Sequence, residues 1–313
     1  MLRGLYTAAS GLTANQRRHD TITNNIANLN TPGYKQVTAA SRSFPEMLIA
    51  LTHGQQSTPI GRINTGVFIE ENLPLFTQGD LIETANSADF AIVSNIRVAE
   101  NVGGELVEIA FDESGKGLNQ AGQTVYQPQA FFTLRNDAGE ERYTRIGKFM
   151  LNGGGELVTL NGNRLIGRTG EPITFAGATI AGLPDEEQPV VFSLDQIKVE
   201  SDGSMYDANT GLAILDQAGN PMALRLAQVD NPYRLIREGD GNYRLDEGEV
   251  PPQQVQNLAQ ISIEQGFIER SNVDSTQSMI DLMAAQRAYE ANQRMVQYYD
   301  RSLEKAVNEI GRV

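Results

Sequence analysis

Few residues in this chain belong to types that do chemistry. It has no cysteine, and only two histidines, His19 and His53, in 313 residues. Thiolate catalysis, disulfides and thiolate metal sites are therefore excluded, and two imidazoles alone cannot build a multi-histidine metal site. Three stretches could in principle carry a ligand or a reaction. Asn152-Gly153-Gly154-Gly155 has the glycine content of a phosphate-cradling loop, but the Lys-Ser/Thr of a P-loop does not follow it, and a hairpin turn accounts for it. Asp112-Glu113-Ser114-Gly115-Lys116-Gly117 has the outline of a calcium loop, yet its third ligand place is a lysine and its last lacks a glutamate. Asp185-Glu186-Glu187 groups carboxylates of the kind used in acid–base work, but after Pro184 a solvated acidic loop is the simpler reading. No catalytic, cofactor or metal site is expected, and no enzymatic activity.

The charge pattern narrows the partners. Residues 1–53 sum to +3 and residues 268–313 to −1, which leaves about −16 of the net −14 for the middle. A strongly acidic middle argues against nucleic acid, which needs a basic stripe. No apolar run approaches the roughly 18–20 residues of a membrane span, so no membrane insertion is expected. Asn15-Gln16-Arg17-Arg18-His19-Asp20 interrupts the N-terminal apolar residues before a signal-peptide core could form.

The elements that would position any functional residue fall into three segments. Residues 1–30 predict a helix of about 45 Å that ends before Pro32-Gly33. Leu5, Leu12, His19 and Ile26 recur every seven residues, with Leu2, Ala9, Gln16 and Thr23 three places ahead of each. His19 reads as a packed or interfacial side chain. Residues 271–313 predict a second helix, with Ser271 and Asp274 resembling a capping box and Gly311 following its end. Leu282, Tyr289, Val296, Leu303 and Ile310 keep a strict heptad, Met279 and Val307 flank it, and Gln286, Gln293 and Asp300 interrupt it. Glu290 and Arg294 form an i,i+4 pair, and Tyr298-Tyr299 reads as either packing or an aromatic partner contact.

Between the helices, turn dipeptides such as Asn161-Gly162, Asp202-Gly203, Gly219-Asn220 and Asp240-Gly241 punctuate short β-branched and aromatic runs. Phe131–Leu134, Tyr143–Ile146, Val190–Phe192 and Ile197–Val199 are examples, and together they predict an all-β domain over 78–250, left at Val250-Pro251-Pro252. Residues 31–77 and 252–270 read as connectors. The fold class is thus α+β: a discontinuous domain of N- and C-terminal coiled-coil helices flanking an all-β domain. Each helical strip is only half apolar. It either closes a monomer as an antiparallel coiled coil or packs on other subunits, where polar seam residues select register and partner.

The residues themselves carry a resemblance. Gly11-Leu12, Gln16, Asp20, Asn24-Asn25-Ile26-Ala27-Asn28 and Thr31-Pro32-Gly33-Tyr34-Lys35 closely resemble the N-terminal signature of the bacterial flagellar rod and hook axial proteins. Ser271-Asn272-Val273-Asp274, Met279-Ile280 and Gln286-Arg287-Ala288-Tyr289-Glu290-Ala291-Asn292 resemble the C-terminal signature of that family. Phe76–Leu81 looks like the family's approach to its β-domain, and Tyr143–Gly147 through Leu157–Thr159 looks like its hairpin. The start Met1–Ala8 is most like the distal-rod group of Bacillus-type bacteria, although the β-region is longer, around 101–129 and 207–219.

The resemblance implies a structural subunit of the basal-body rod that self-assembles axially and transmits torque from motor to hook. It implies copies of itself and other rod or hook proteins as partners, and signal-peptide-independent export through the flagellar type III apparatus to an extracytoplasmic site. A hook or hook-junction protein is the alternative within the family. A β-domain cell-wall binding module on a coiled-coil stalk is the alternative outside it. The assembly residues expected are Leu5, Leu12, Asn24, Asn25, Ile26, Asn28, Pro32, Gly33, Tyr34, Leu282, Gln286, Arg287, Tyr289, Asn292, Val296, Leu303 and Ile310. Asn24, Asn25 and Asn28 are expected to tie the helix end to its turn through side-chain hydrogen bonds.

Overall fold

The computed structural model describes residues 2–53, 56–102, 105–112, 114–184, 193–246, 248, 251–255 and 260–310. Asp185-Glu186-Glu187, Val190–Phe192, Glu113, Val250 and Gly311 lie outside the described residues, as does the side chain of Ile310. The chain forms two compact units. The first contains residues 1–29, 36–74 and 273–313, and the second 30–35 and 75–272. The first carries ten basic and ten acidic side chains and the second fifteen and twenty-nine, so the whole net charge of −14 belongs to the second.

In the first unit, helix α1 (Leu2–Ala27) and helix α2 (Ser275–Lys305) run antiparallel. Gly4 lies against Tyr299, Gly11 against Asn292, and Arg18 Nη2 stands 4.0 Å from Asp281 Oδ1. Asp274 caps α2, its Oδ1 accepting from the backbone N–H groups of Thr276 and Gln277 at 2.8 and 3.0 Å; this satisfies two donors that a helix start leaves open. The N-cap residue of α2 is thus Asp274, three places after Ser271.

Strands β1 (Val37–Ser43), β2 (Met47–His53), β3 (Gln56–Ile63) and β4 (Val67–Pro74) complete the unit. β1 pairs with β4 and β2 with β3, both antiparallel. The segment expected as a connector therefore holds two strand pairs. Its prolines hid them from a sequence reading. Pro45 falls between strands, Pro74 ends one, and Pro59 sits beside a register shift of the β2–β3 ladder, positions where a missing N–H is tolerated. Ser10, Thr21 and Asn25 of α1 make side-chain contacts with β1 and β4, so α1 is covered on two sides.

The second unit is built from hairpins with one recurring loop. At Asp112, Asn119, Asn136, Asn152, Thr159, Gly167, Glu200 and Asp216 the backbone N–H donates to the carbonyl four residues on, and that residue's carbonyl accepts from a glycine three residues on. The glycine has φ between +72° and +86° in every case, which fits a type I turn closed by a bulge. Asn or Asp at the first place adds a side-chain bond, as from Glu156 N to Asn152 Oδ1 at 2.9 Å. The supposed phosphate and calcium loops are two of these turns.

The loops join a nine-stranded antiparallel sheet. Its order is Phe149–Leu151, Leu157–Thr159, Arg164–Leu165, Gln129–Arg135, Glu141–Thr144, Asn242–Leu245 and Leu235–Gly239, with Leu226–Val229 also on Gln129–Arg135 and carrying Gln253–Gln254. Gln129–Arg135 is buried on both faces. Phe132 and Leu134 enter one apolar cluster, with Phe90, Leu157, Leu165, Met205 and Ile214, while Phe131 enters a second with Phe76, Tyr143 and Tyr243. Strands β5 (Leu81–Glu83) and β6 (Phe90–Ser94) pair with Phe267–Glu269 and Ile261–Gln265. The segment 252–270, expected as a connector, thus contributes the strands Gln253–Gln254, Ile261–Gln265 and Phe267–Glu269. No helix among the described residues is long and apolar enough to cross a membrane. The architecture is α+β, two terminal helices with a strand-rich remainder.

Candidate functional site

On the helices, the heptad residues Leu5, Leu12, His19 and Ile26 of α1 are half-buried, as are Leu282, Tyr289, Val296 and Leu303 of α2. The rows beside them differ from those expected. Ala9, Gln16, Thr23, Met279, Gln286, Gln293, Asp300 and Val307 are exposed. Their places on the seam are taken by Gly4, Ala8 and Gly11 on α1 and by Ser278, Ala285, Asn292 and Tyr299 on α2, all buried or half-buried. A pattern read from hydrophobicity misses such a row because small residues mark it. A Cβ on Gly11 would stand 2.9 Å from Asn292 Nδ2, so a larger residue there would have to move the Asn292 amide aside.

The outward faces are not polar throughout. Tyr6 is 69% exposed, Met279 57%, Ile280 50%, Met283 52% and Tyr298 63%. Met279, Ile280 and Met283 lie on neighbouring turns opposite the buried row, and Arg287, Arg294 and Arg301 continue that face at heptad spacing, all exposed. Exposed apolar groups clustered on one face mark contact surfaces more than scattered ones do.

The asparagines of the N-terminal signature act at different places. Asn28 Nδ2 donates to Asn24 O at 2.9 Å and to Asn24 Oδ1 at 3.0 Å, a local tie at the helix end. Asn25 is 3% exposed and brackets one residue of β1: its Nδ2 donates to Val37 O at 2.8 Å and its Oδ1 accepts from Val37 N at 3.0 Å. It therefore fixes the strand start against α1.

In the second unit, Gly33 and Tyr34 are buried and Pro32 half-buried. Gly33 has φ +65°, its N–H donates to Glu269 O at 2.7 Å, and a Cβ there would stand 2.9 Å from the Arg145 backbone. The Arg237 guanidinium lies 4.4 Å from the Tyr34 ring centroid, a cation–π contact. Asn272, of the C-terminal signature, donates through Nδ2 to Leu75 O at 2.9 Å and to Thr77 Oγ1 at 2.9 Å.

Beside these lies a cluster of ionised groups with almost no solvent. Lys35 and Glu269 side chains are each 1% exposed, with Lys35 Nζ donating to Glu269 Oε1 at 2.6 Å and to Thr77 O at 2.8 Å. Arg145 Nε donates to Glu269 Oε2 at 3.1 Å and its Nη1 to Ala130 O at 2.7 Å, while its Nη2 is buried without a partner. Gly79 N also donates to Glu269 Oε1, at 2.9 Å. Burial and the like charge of Arg145 lower Lys35 to about 8, against the pull of Glu269. Burial alone would raise the Glu269 carboxyl, but the charges of Arg145 and Lys35 and the bonds from Lys35 and Gly79 outweigh it and hold the group below the usual range. Lys35 and Arg145 stood inside recognised motifs. Glu269 had no signal in the sequence, because a lone glutamate at the end of a short strand looks like any solvated one.

The ionised groups around one cleft of this unit are engaged. A cavity of about 530 Å³ is lined by Glu140, Glu141, Arg142, Glu238 and Arg244, but its carboxylates are paired: Glu238 with Arg142 and Arg244, Glu140 with Arg142, and Glu141 with Arg225. Among the described residues no group of three or more His, Asp or Glu could hold a metal ion.

Comparison with known proteins covers the same regions. Residues 5–35 match the family described as "Flagella basal body rod protein", residues 264–309 the "Flagellar basal body rod FlgEFG protein C-terminal", and residues 127–207 the "Flagellar hook protein FlgE/F/G D1 domain". The chain is 31% identical to the flagellar hook-basal body complex protein FlhO of Bacillus subtilis, over 100% of both chains. It is 27% identical to the flagellar basal-body rod protein FlgG of Borreliella burgdorferi, over 98% of both. It is 26% identical to FlgG of Bacillus subtilis, over 98% of this chain and 99% of that one.

Proposed function

This chain belongs to the family of flagellar basal-body rod and hook proteins, and on that premise we propose that it is a structural subunit of the bacterial flagellar basal-body rod. It carries torque by assembling axially with copies of itself and with other rod and hook proteins, and performs no reaction. The observation that carries this reading is the outward face of the terminal helices, where Met279, Ile280 and Met283 are each half or more exposed. With the seam row turned inward, that face is the one left for a neighbouring subunit. We place the helices of the first unit in a coiled-coil layer of the filament wall and the acidic second unit outside it. The subunit reaches this extracytoplasmic place through the flagellar type III export apparatus.

Leu5, Leu12, Leu282, Val296 and Leu303 then hold α1 to α2, while Arg287 and its apolar neighbours face the next subunit. A strain carrying Ile280→Asp and Met283→Asp is expected to export a folded subunit yet fail to swim, whereas normal swimming would refute the outward-face reading. Labelled electron microscopy of purified hook–basal bodies is expected to place the chain below the hook; label confined to the hook would move it to that level instead.

A further inference from the structure

Glu269 is met by two cations from distant parts of the chain. Lys35 follows the N-terminal signature, Arg145 follows the strand Glu141–Thr144, and Glu269 ends the strand Phe267–Glu269 that leads toward α2. All three lie in the second unit and are at least 98% buried. Two buried cations share one carboxylate, so the cluster holds a net positive charge even when complete. Without Glu269 both cations would be buried with no counter-ion, a far more costly state than a paired one. The same residue also holds the main chain: its carbonyl accepts from Gly33 N at 2.7 Å, and its Oε1 accepts from Gly79 N at 2.9 Å.

We propose that Glu269 is a latch that orders the two ends of the second unit together, so that residues 30–35 and 75–80 lock in place only once the returning strand Phe267–Glu269 has delivered its carboxylate. Before that strand pairs with β5, Lys35 has no carboxylate to meet and remains in water, and residues 30–35 stay loose. Once it pairs, one side chain holds residues 30–35 through Lys35, residues 75–80 through Gly79 and, by way of Arg145, the strand Gln129–Arg135. The latch depends on charge and geometry within this unit and is independent of the assembly reading above.

The test is hydrogen–deuterium exchange on the full chain, comparing Lys35→Met, Glu269→Gln and the double variant. In Glu269→Gln, peptides covering 30–35, 75–80 and 267–272 are expected to exchange at least tenfold faster together, with the hairpin around 152–165 unchanged. Lys35→Met is expected to change them less than threefold. In the double variant, removal of one unpaired cation is expected to restore part of the lost protection. If Glu269→Gln loosens only its own strand, or if the double variant is as loose as Glu269→Gln or looser, the latch is refuted. Should Glu269→Gln unfold the whole unit, the double variant decides: recovery of the fold supports the latch, and none overturns it.

Discussion

Lys35 makes the stability of this protein depend on mild alkali in a calculable way. Its ammonium is buried, and its proton is held with a pKa of about 8 in the fold, against 10.5 for the exposed group. Between those values the unfolded chain binds one proton more than the native one, so stability rises with pH across that window. The destabilisation is fully present below pH 8 and is gone above 10.5. From pH 7 to pH 9 the predicted gain is about 1.3 kcal/mol, taking roughly 1.4 kcal/mol for each unit of difference. Urea unfolding of the full chain, followed by tyrosine near-ultraviolet circular dichroism, measures it at the two pH values. Lys35→Met removes the titrating group, so its curves at pH 7 and pH 9 are expected to coincide while those of the wild type separate. Staying below pH 10 avoids Tyr143 and Tyr243, which burial pushes up to about 12 and which act with the opposite sign above 10. Equal pH dependence in the wild type and Lys35→Met would refute the reasoning, since it would mean that Glu269 fully offsets the burial of Lys35.

Other perturbations reach different links of the structure. On the acid side, Glu269 lies below the usual carboxylate range, so its contribution is present above its unfolded value and is lost as pH falls through the lower folded one; Glu269→Gln should flatten that part of an acid titration of stability. Asn25→Ala leaves both polar groups of Val37 without their side-chain partner, and a loss of about 1–3 kcal/mol is expected in thermal unfolding of the full chain. Gly33→Ala forces a side chain onto φ +65° and to 2.9 Å from the Arg145 backbone, so a cost of about 1–3 kcal/mol is expected by the same measurement. Gly147→Ala would drive a Cβ into the backbone carbonyl of Phe90, and the variant is expected to be recovered only as insoluble chain.

The sequence by itself determined the parts whose forces are local. The run without Gly or Pro before Gly311 and the Asp274 cap define α2, because capping and helix propensity act within a turn or two. The turn dipeptides located the hairpins, since a glycine at positive φ is demanded by the loop itself. Two long motifs at opposite ends carried the family. Three features were decided only by tertiary structure. Among their described side chains the strands at 37–74 bury few, so their pattern is faint, and three prolines made the segment read as a connector. The seam of α1 and α2 runs through Gly4, Ala8, Gly11, Ala285 and Asn292, small or polar residues that a hydrophobic pattern does not mark. Lys35, Arg145 and Glu269 gain their meaning only when positions over a hundred residues apart share one buried pocket of charge. The cost of burying an ion is set by everything around it, and those surroundings exist only once the chain has folded.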